Sequence, residues 1–134
     1  MMNNVQLIGR LVSAPELSTT KTDKNFTRVT LAVNRRFKNA DGDREADFIS
    51  CMFWGKTAET IVSYAKKGML ISVEGEIRAY SFDGKDKERH YVTEVLGVNF
   101  QMLESRTTVA RRAALAVQGT KDADMILEAE ELPF

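Results

Sequence analysis

Apolar and polar residues alternate in several short stretches, which is the period of a half-buried strand. Val5, Leu7, Gly9 and Leu11 alternate with Gln6 and Arg10, and Val29, Leu31 and Val33 alternate with Arg28, Thr30, Ala32 and Asn34. Residues 48–54 read as a third strand. Ile71, Val73, Gly75 and Ile77 against Ser72, Glu74, Glu76 and Arg78 make a fourth, and residues 91–103 make a fifth. Between the third and fourth the period changes. Ala58, Ile61, Val62 and Ala65 fall at helical spacing, with Glu59 expected in the first turn, Lys66 and Lys67 in the last, and Gly68 placed to cap. One helix is predicted over residues 57–67. Asp41-Gly42 and Asp83-Gly84 mark turns inside polar stretches, residues 38–46 and 83–89, that are longer than a tight hairpin needs.

Five strands with one helix between the third and fourth is the element order of an OB-fold, a partly open all-β barrel that binds oligonucleotides or oligosaccharides on a strand face and its loops. The chain shows no internal repeat, and 134 residues suffice for one domain with its own core. No apolar run approaches membrane length, no signal peptide is read at the start, and one cysteine cannot form an internal disulfide. A cytoplasmic protein is expected. Charge changes the picture more than composition does. Net charge is zero, yet residues 121–134 hold five acidic residues against Lys121, which leaves residues 1–120 with eighteen basic and fourteen acidic. The body at +4 and the tail at −4 suggest a polyanion partner for the first and a basic partner for the second.

Parity supplies the candidate chemistry. On the third strand Ile49, Cys51 and Phe53 look inward while Phe48, Ser50, Met52 and Trp54 look outward. On the fourth, Ile71, Val73 and Ile77 define the core side, which puts Arg78, Tyr80 and Phe82 outward. Arg28 and Arg36 come from the second strand's outer face, and Arg35, Phe37, Lys38, Lys56, Lys85, Lys87 and Arg89 stand in or near the loops. Cations interleaved with outward aromatics suit single-stranded nucleic acid, whose bases stack on rings while cations follow the phosphates. Core packing remains the reading for Phe26, Phe53, Tyr64 and Phe100, and binding for Phe37, Phe48, Trp54 and Phe82. Tyr80 and Tyr91 fit either, Tyr80 being the further stacking candidate.

Catalysis and metal binding find little support. Gly55-Lys56-Thr57 ends like a phosphate loop, but Ser50 stands where the first glycine belongs. Asp41, Asp43, Glu45 and Asp47 suggest a calcium loop, yet Met52 occupies the place of the bidentate glutamate. His90 is the sole histidine, and Cys51 has the inward parity of a small buried hydrophobe. A nonenzymatic binder with no cofactor and no metal is expected.

Taken together, Asn4-Val5-Gln6-Leu7-Ile8-Gly9-Arg10-Leu11, Pro15-Glu16, Thr30-Leu31-Ala32-Val33, Phe53-Trp54-Gly55-Lys56-Thr57-Ala58-Glu59, Lys67-Gly68, Val73-Glu74-Gly75-Glu76-Ile77-Arg78 and Tyr91-Val92-Thr93-Glu94-Val95 resemble the bacterial single-stranded DNA-binding protein family in a short-tailed form. The resemblance covers residues 1–105 and the tail. It implies an OB-fold, a homotetramer, and coating of single-stranded DNA with little sequence preference, in the cytoplasm and associated with the nucleoid. It assigns base stacking to Phe37, Phe48, Trp54 and Phe82, where family members commonly have tryptophan at several positions. It further implies that Glu130, Glu131, Leu132, Pro133 and Phe134 dock replication, recombination and repair proteins, a free carboxylate beside an apolar anchor being a recurring recognition mode. The expected division is residues 1–105 as the DNA-binding domain, 106–127 as a short flexible linker and 128–134 as the docking tail. Residues 109–117 have the composition of a helical turn or two. Two other readings stay open: an RNA-binding OB module, and a structural or adaptor protein whose outer aromatics pack against other subunits.

Overall fold

The alternating stretches fold into strands whose sheet curls back on itself until it closes. The computed structural model describes residues 1–118, in the order β1 (Val5–Leu11), β2 (Ser18–Thr19), β3 (Asn25–Asn34), β4 (Ala46–Trp54), α1 (Gly55–Tyr64), β5 (Leu70–Asp83), β6 (Arg89–Met102) and α2 (Arg106–Gln118). The sheet runs β1-β5-β6-β4-β3-β2 and is closed by Arg10 against Ala32 and Leu11 against Leu31. All pairings are antiparallel except β4 with β6, where Cys51 lies beside Val95. That closed order, with α1 carrying the chain from β4 to β5, is an OB-fold. The two-residue β2 is a small addition to the five expected strands.

Inward-facing apolar side chains fill the barrel: Leu31, Cys51, Phe53, Ile61, Met69 and Ile71 are fully buried. The Phe53 ring meets Phe100 edge-on at 6.0 Å and lies against the bare backbone of Gly97, where a β-carbon would stand 2.2 Å from the ring. Only glycine lets that ring reach the centre.

The helix begins and ends earlier than its periodicity suggests. Strand passes directly into helix at Gly55, whose φ of +61° is a left-handed conformation that glycine adopts cheaply. The Ala65 N–H closes the helix on the Ile61 carbonyl, so Lys66 and Lys67 fall beyond it and Glu59 lies past its first turn. The expected pairing of these charges with the helix ends is not used. Gly68 does sit at a left-handed turn, and its N–H donates to the Leu11 carbonyl at 2.8 Å.

Two core assignments are corrected here. Ile77 was expected on the core side but is 47% exposed: it keeps the parity of Ile71 and Val73, but the β5–β6 ribbon there runs past the barrel to the Asp83–Arg89 pair. Tyr64 was expected in the core but is exposed, with the Arg106 guanidinium 5.2 Å from its ring centre.

That arginine belongs to α2, which occupies the first half of the stretch expected to be flexible linker. Val109 is buried against the barrel core, and Glu104 joins Arg10 at 3.0 Å and Arg112 while accepting the Leu70 N–H at 3.0 Å. The rest of the expected linker and the tail, Glu130 to Phe134 included, lie outside the described residues. Among those described, no helix is long and apolar enough to cross a membrane.

Candidate nucleic-acid interface

Register decides which outer side chains share a surface. On β3 and β4, Phe26 lies opposite Trp54, Arg28 opposite Met52 and Ala32 opposite Phe48. Met52 lies beside Leu96 of β6. Across to β5, Leu96 faces Glu76, Glu94 faces Arg78, Val92 faces Tyr80 and His90 faces Phe82. One face therefore carries Phe48, Trp54, Tyr80 and Phe82 in a band over three sheet neighbours. Phe48 is 69% exposed and Phe82 about half exposed.

Trp54 is the hub of this face. Its ring contacts Phe26 at 5.4 Å between centroids and 44° between planes, so Phe26, expected in the core, is a half-buried support for the exposed ring. On one side of Trp54 lies an open depression of about 370 Å³ shared with Met52, Tyr80, Arg78, Glu94 and Leu96. On the other, a second depression is rimmed by Lys24, Asn25, Lys56 and Glu59. Met52 has the expected outward parity yet is buried by its neighbours, forming part of the floor rather than a projecting contact.

The loops extend the face. Phe37 stands 83% exposed between Arg36 and Lys38 in the β3–β4 connection. At the far end of the β5–β6 ribbon, Phe82 stacks on His90 at 5.3 Å, and His90 Nε2 lies 3.2 Å from Asp86 Oδ1. Tyr91 is exposed but pairs with Ser81, on the ribbon face opposite Tyr80.

The candidate phosphate ligands divide into two groups. Arg35 donates to both Asp47 carboxylate oxygens and to Glu45, and its hydrogen bond holds the Asp47 carboxyl below its ordinary pKa. Arg78 donates to Glu76 at 2.6 Å, Arg89 to the Ser81 hydroxyl, and Arg28 to Glu94. By contrast, the side chains of Arg36, Lys38, Lys56, Lys85 and Lys87 are exposed and make no hydrogen bond or ion pair among the described residues. Partner-free cations lie at the rim, and partnered ones at the centre and loop bases.

Glu94 and Phe26 are among the side chains of this face that sequence pattern did not assign to it. Outward parity beside Val95 was the available signal for Glu94, and the cross-strand Trp54 was the signal for Phe26. Beneath the face, Cys51 is buried and its thiol is pushed up to about 12 by burial and then by the nearby Glu94 charge. It is a packing residue with no thiolate to offer at neutral pH. No group of three or more metal-ligating side chains occurs among the described residues.

Residues 2–103 match the Single-strand binding protein family. The chain is 58% identical, over the full length of both, to Single-stranded DNA-binding protein 1 of Streptococcus pyogenes serotype M6. It is 53% identical, again over both full lengths, to Single-stranded DNA-binding protein 2 of Streptococcus agalactiae serotype V. A Single-stranded DNA-binding protein of Enterococcus faecalis is 49% identical over 84% of this chain and 60% of its own.

Proposed function

The chain belongs to the single-strand binding protein family, and from that premise we propose that it is a nonenzymatic protein that coats and protects single-stranded DNA with little sequence preference. The carrying observation is the outer face, where Phe48, Trp54, Tyr80 and Phe82 share one sheet surface and partner-free cations line its rim. Bases stack on Phe37, Phe48, Trp54 and Phe82, with Tyr80 as a further ring, while phosphates follow the cations. Stacking and counterion release supply the affinity.

Two finer parts belong to the same proposal. The chain assembles as a homotetramer, supported by exposed apolar residues off the aromatic face, among them Ile8 and Val98, and by the Val5 to Gly9 side of β1 left unpaired by β3. The Glu130 to Phe134 segment recruits replication, recombination and repair proteins in the cytoplasm, at the nucleoid.

The test is competition for fluorescently labelled oligo(dT) at fixed salt, with unlabelled oligo(dT), oligo(rU) and duplex DNA as competitors. Displacement by oligo(dT) well below the concentrations needed of the other two is the expected result. Equal or better displacement by oligo(rU) would transfer the reading to an RNA-binding module. Absence of oligo(dT) binding would leave the aromatic face to a protein partner.

A further inference from the structure

A carboxylate stands near the middle of the aromatic face, where a polyanion ligand should not tolerate one. Glu94 has the outward parity of β6, opposite Arg78, yet is only 6% exposed. Its Oε2 accepts from Arg28 Nε at 3.3 Å, and Arg28 Nη2 donates to the Tyr80 hydroxyl at 3.4 Å. The same guanidinium lies 5.7 Å from the centre of the Phe26 ring, which in turn supports Trp54. Glu94, Arg28, Tyr80, Phe26 and Trp54 are thus one connected set spanning four strands. Arg78, the other central cation, is bound by Glu76. The centre carries two cations and two anions, and the cations that make no ion pair among the described residues stand at the rim.

We propose that Glu94 is a positioning residue: it ties Arg28 to Tyr80 and keeps the centre of the face electrically neutral, so that bases occupy the centre and phosphates are confined to the rim cations. This rests on the single-strand reading above and refines it. Arg28 then serves as a flat, hydrogen-bonding support beside the stacked bases and not as a phosphate ligand. The carboxylate acts through repulsion as well as tethering, since a phosphate entering the Trp54 depression would approach a shielded negative charge that already uses Arg28.

The salt dependence of binding separates these roles, because each phosphate neutralised on a single strand contributes about 0.7 to the slope of log affinity against log salt. In the near-isosteric Glu94→Gln variant the Arg28 charge is no longer compensated, so the full-length protein should bind oligo(dT) more tightly at low salt with a slope steeper by about 0.7. The Arg28→Gln, Glu94→Gln double variant removes both charges and should return to the wild-type slope. If Arg28 already holds a phosphate, Glu94→Gln keeps the wild-type slope and the double variant loses about 0.7, which overturns the inference. A Glu94→Gln protein that melts lower but keeps its slope also overturns it, leaving Glu94 a structural role alone. Should the single variant fail to fold, the double variant decides by the same slope. Failure of the function itself looks different: wild-type protein would not bind oligo(dT) at any salt.

Discussion

Phe48 shows what a single side chain contributes here. Its ring is mostly exposed, so removing it should leave the barrel intact, whereas Phe53, five residues on and of opposite parity, is wholly buried. Base–aromatic stacking in single-strand-binding OB proteins as a class contributes about 1 to 3 kcal/mol per base. Phe48→Ala should therefore weaken oligo(dT) binding by roughly 5- to 150-fold with an unchanged melting temperature. A titration with normal affinity would remove Phe48 from the site. Alternation in the sequence was sufficient to place Phe48, Trp54 and Phe82 outward, because parity is a property of the strand alone. It was not sufficient for the environments of Met52, Phe26 and Tyr64, which depend on Leu96, Trp54 and Arg106, far away in sequence. Glu94 escaped for the same reason, since its charge is silent until Arg28 is placed against it.

At the scale of elements, strand order and the single internal helix were legible, while helix ends were not. The left-handed Gly55 starts α1 directly after Trp54, and the Ala65 N–H ends it at Ile61, details of backbone closure that apolar spacing does not encode. α2 is the larger difference. A segment expected to be a flexible linker, with a helical turn or two, is a helix through Gln118 with Val109 packed on the barrel and Glu104 between Arg10 and Arg112. Burial opposes the charge of Glu104, but bonds from Arg112 and the Leu70 N–H, with the Arg10 charge, outweigh it and hold the carboxyl below its ordinary 4.5. A depressed folded value means the contribution to stability is complete above about pH 4.5 and is lost as pH falls through the lower folded value. Wild-type protein should consequently lose stability in that acid window more steeply than Glu104→Gln, as read by melting between neutral pH and pH 3 or so. Parallel pH profiles for the two proteins would show that Glu104 is not what fastens α2.

For the whole molecule, charge is divided between residues 1–120 at +4 and residues 121–134 at −4. Deleting Phe134 should abolish capture of a replication or repair partner by the full-length protein while leaving oligo(dT) affinity unchanged. Partner capture that survives the deletion would contradict the docking role. The tail's chemistry was legible only as composition and resemblance, since the residues that carry it lie outside the described part of the chain.

The aromatic face itself is tested most directly by its own probe. Trp54 is the sole tryptophan, and its ring lies between the two depressions of that face. Its fluorescence should be strongly quenched when full-length protein is titrated with oligo(dT), with the midpoint moving to higher DNA concentration as salt is raised and no quenching by duplex DNA. Tight oligo(dT) binding that leaves the emission unchanged would place the DNA elsewhere, and absence of binding at any salt would contradict the function.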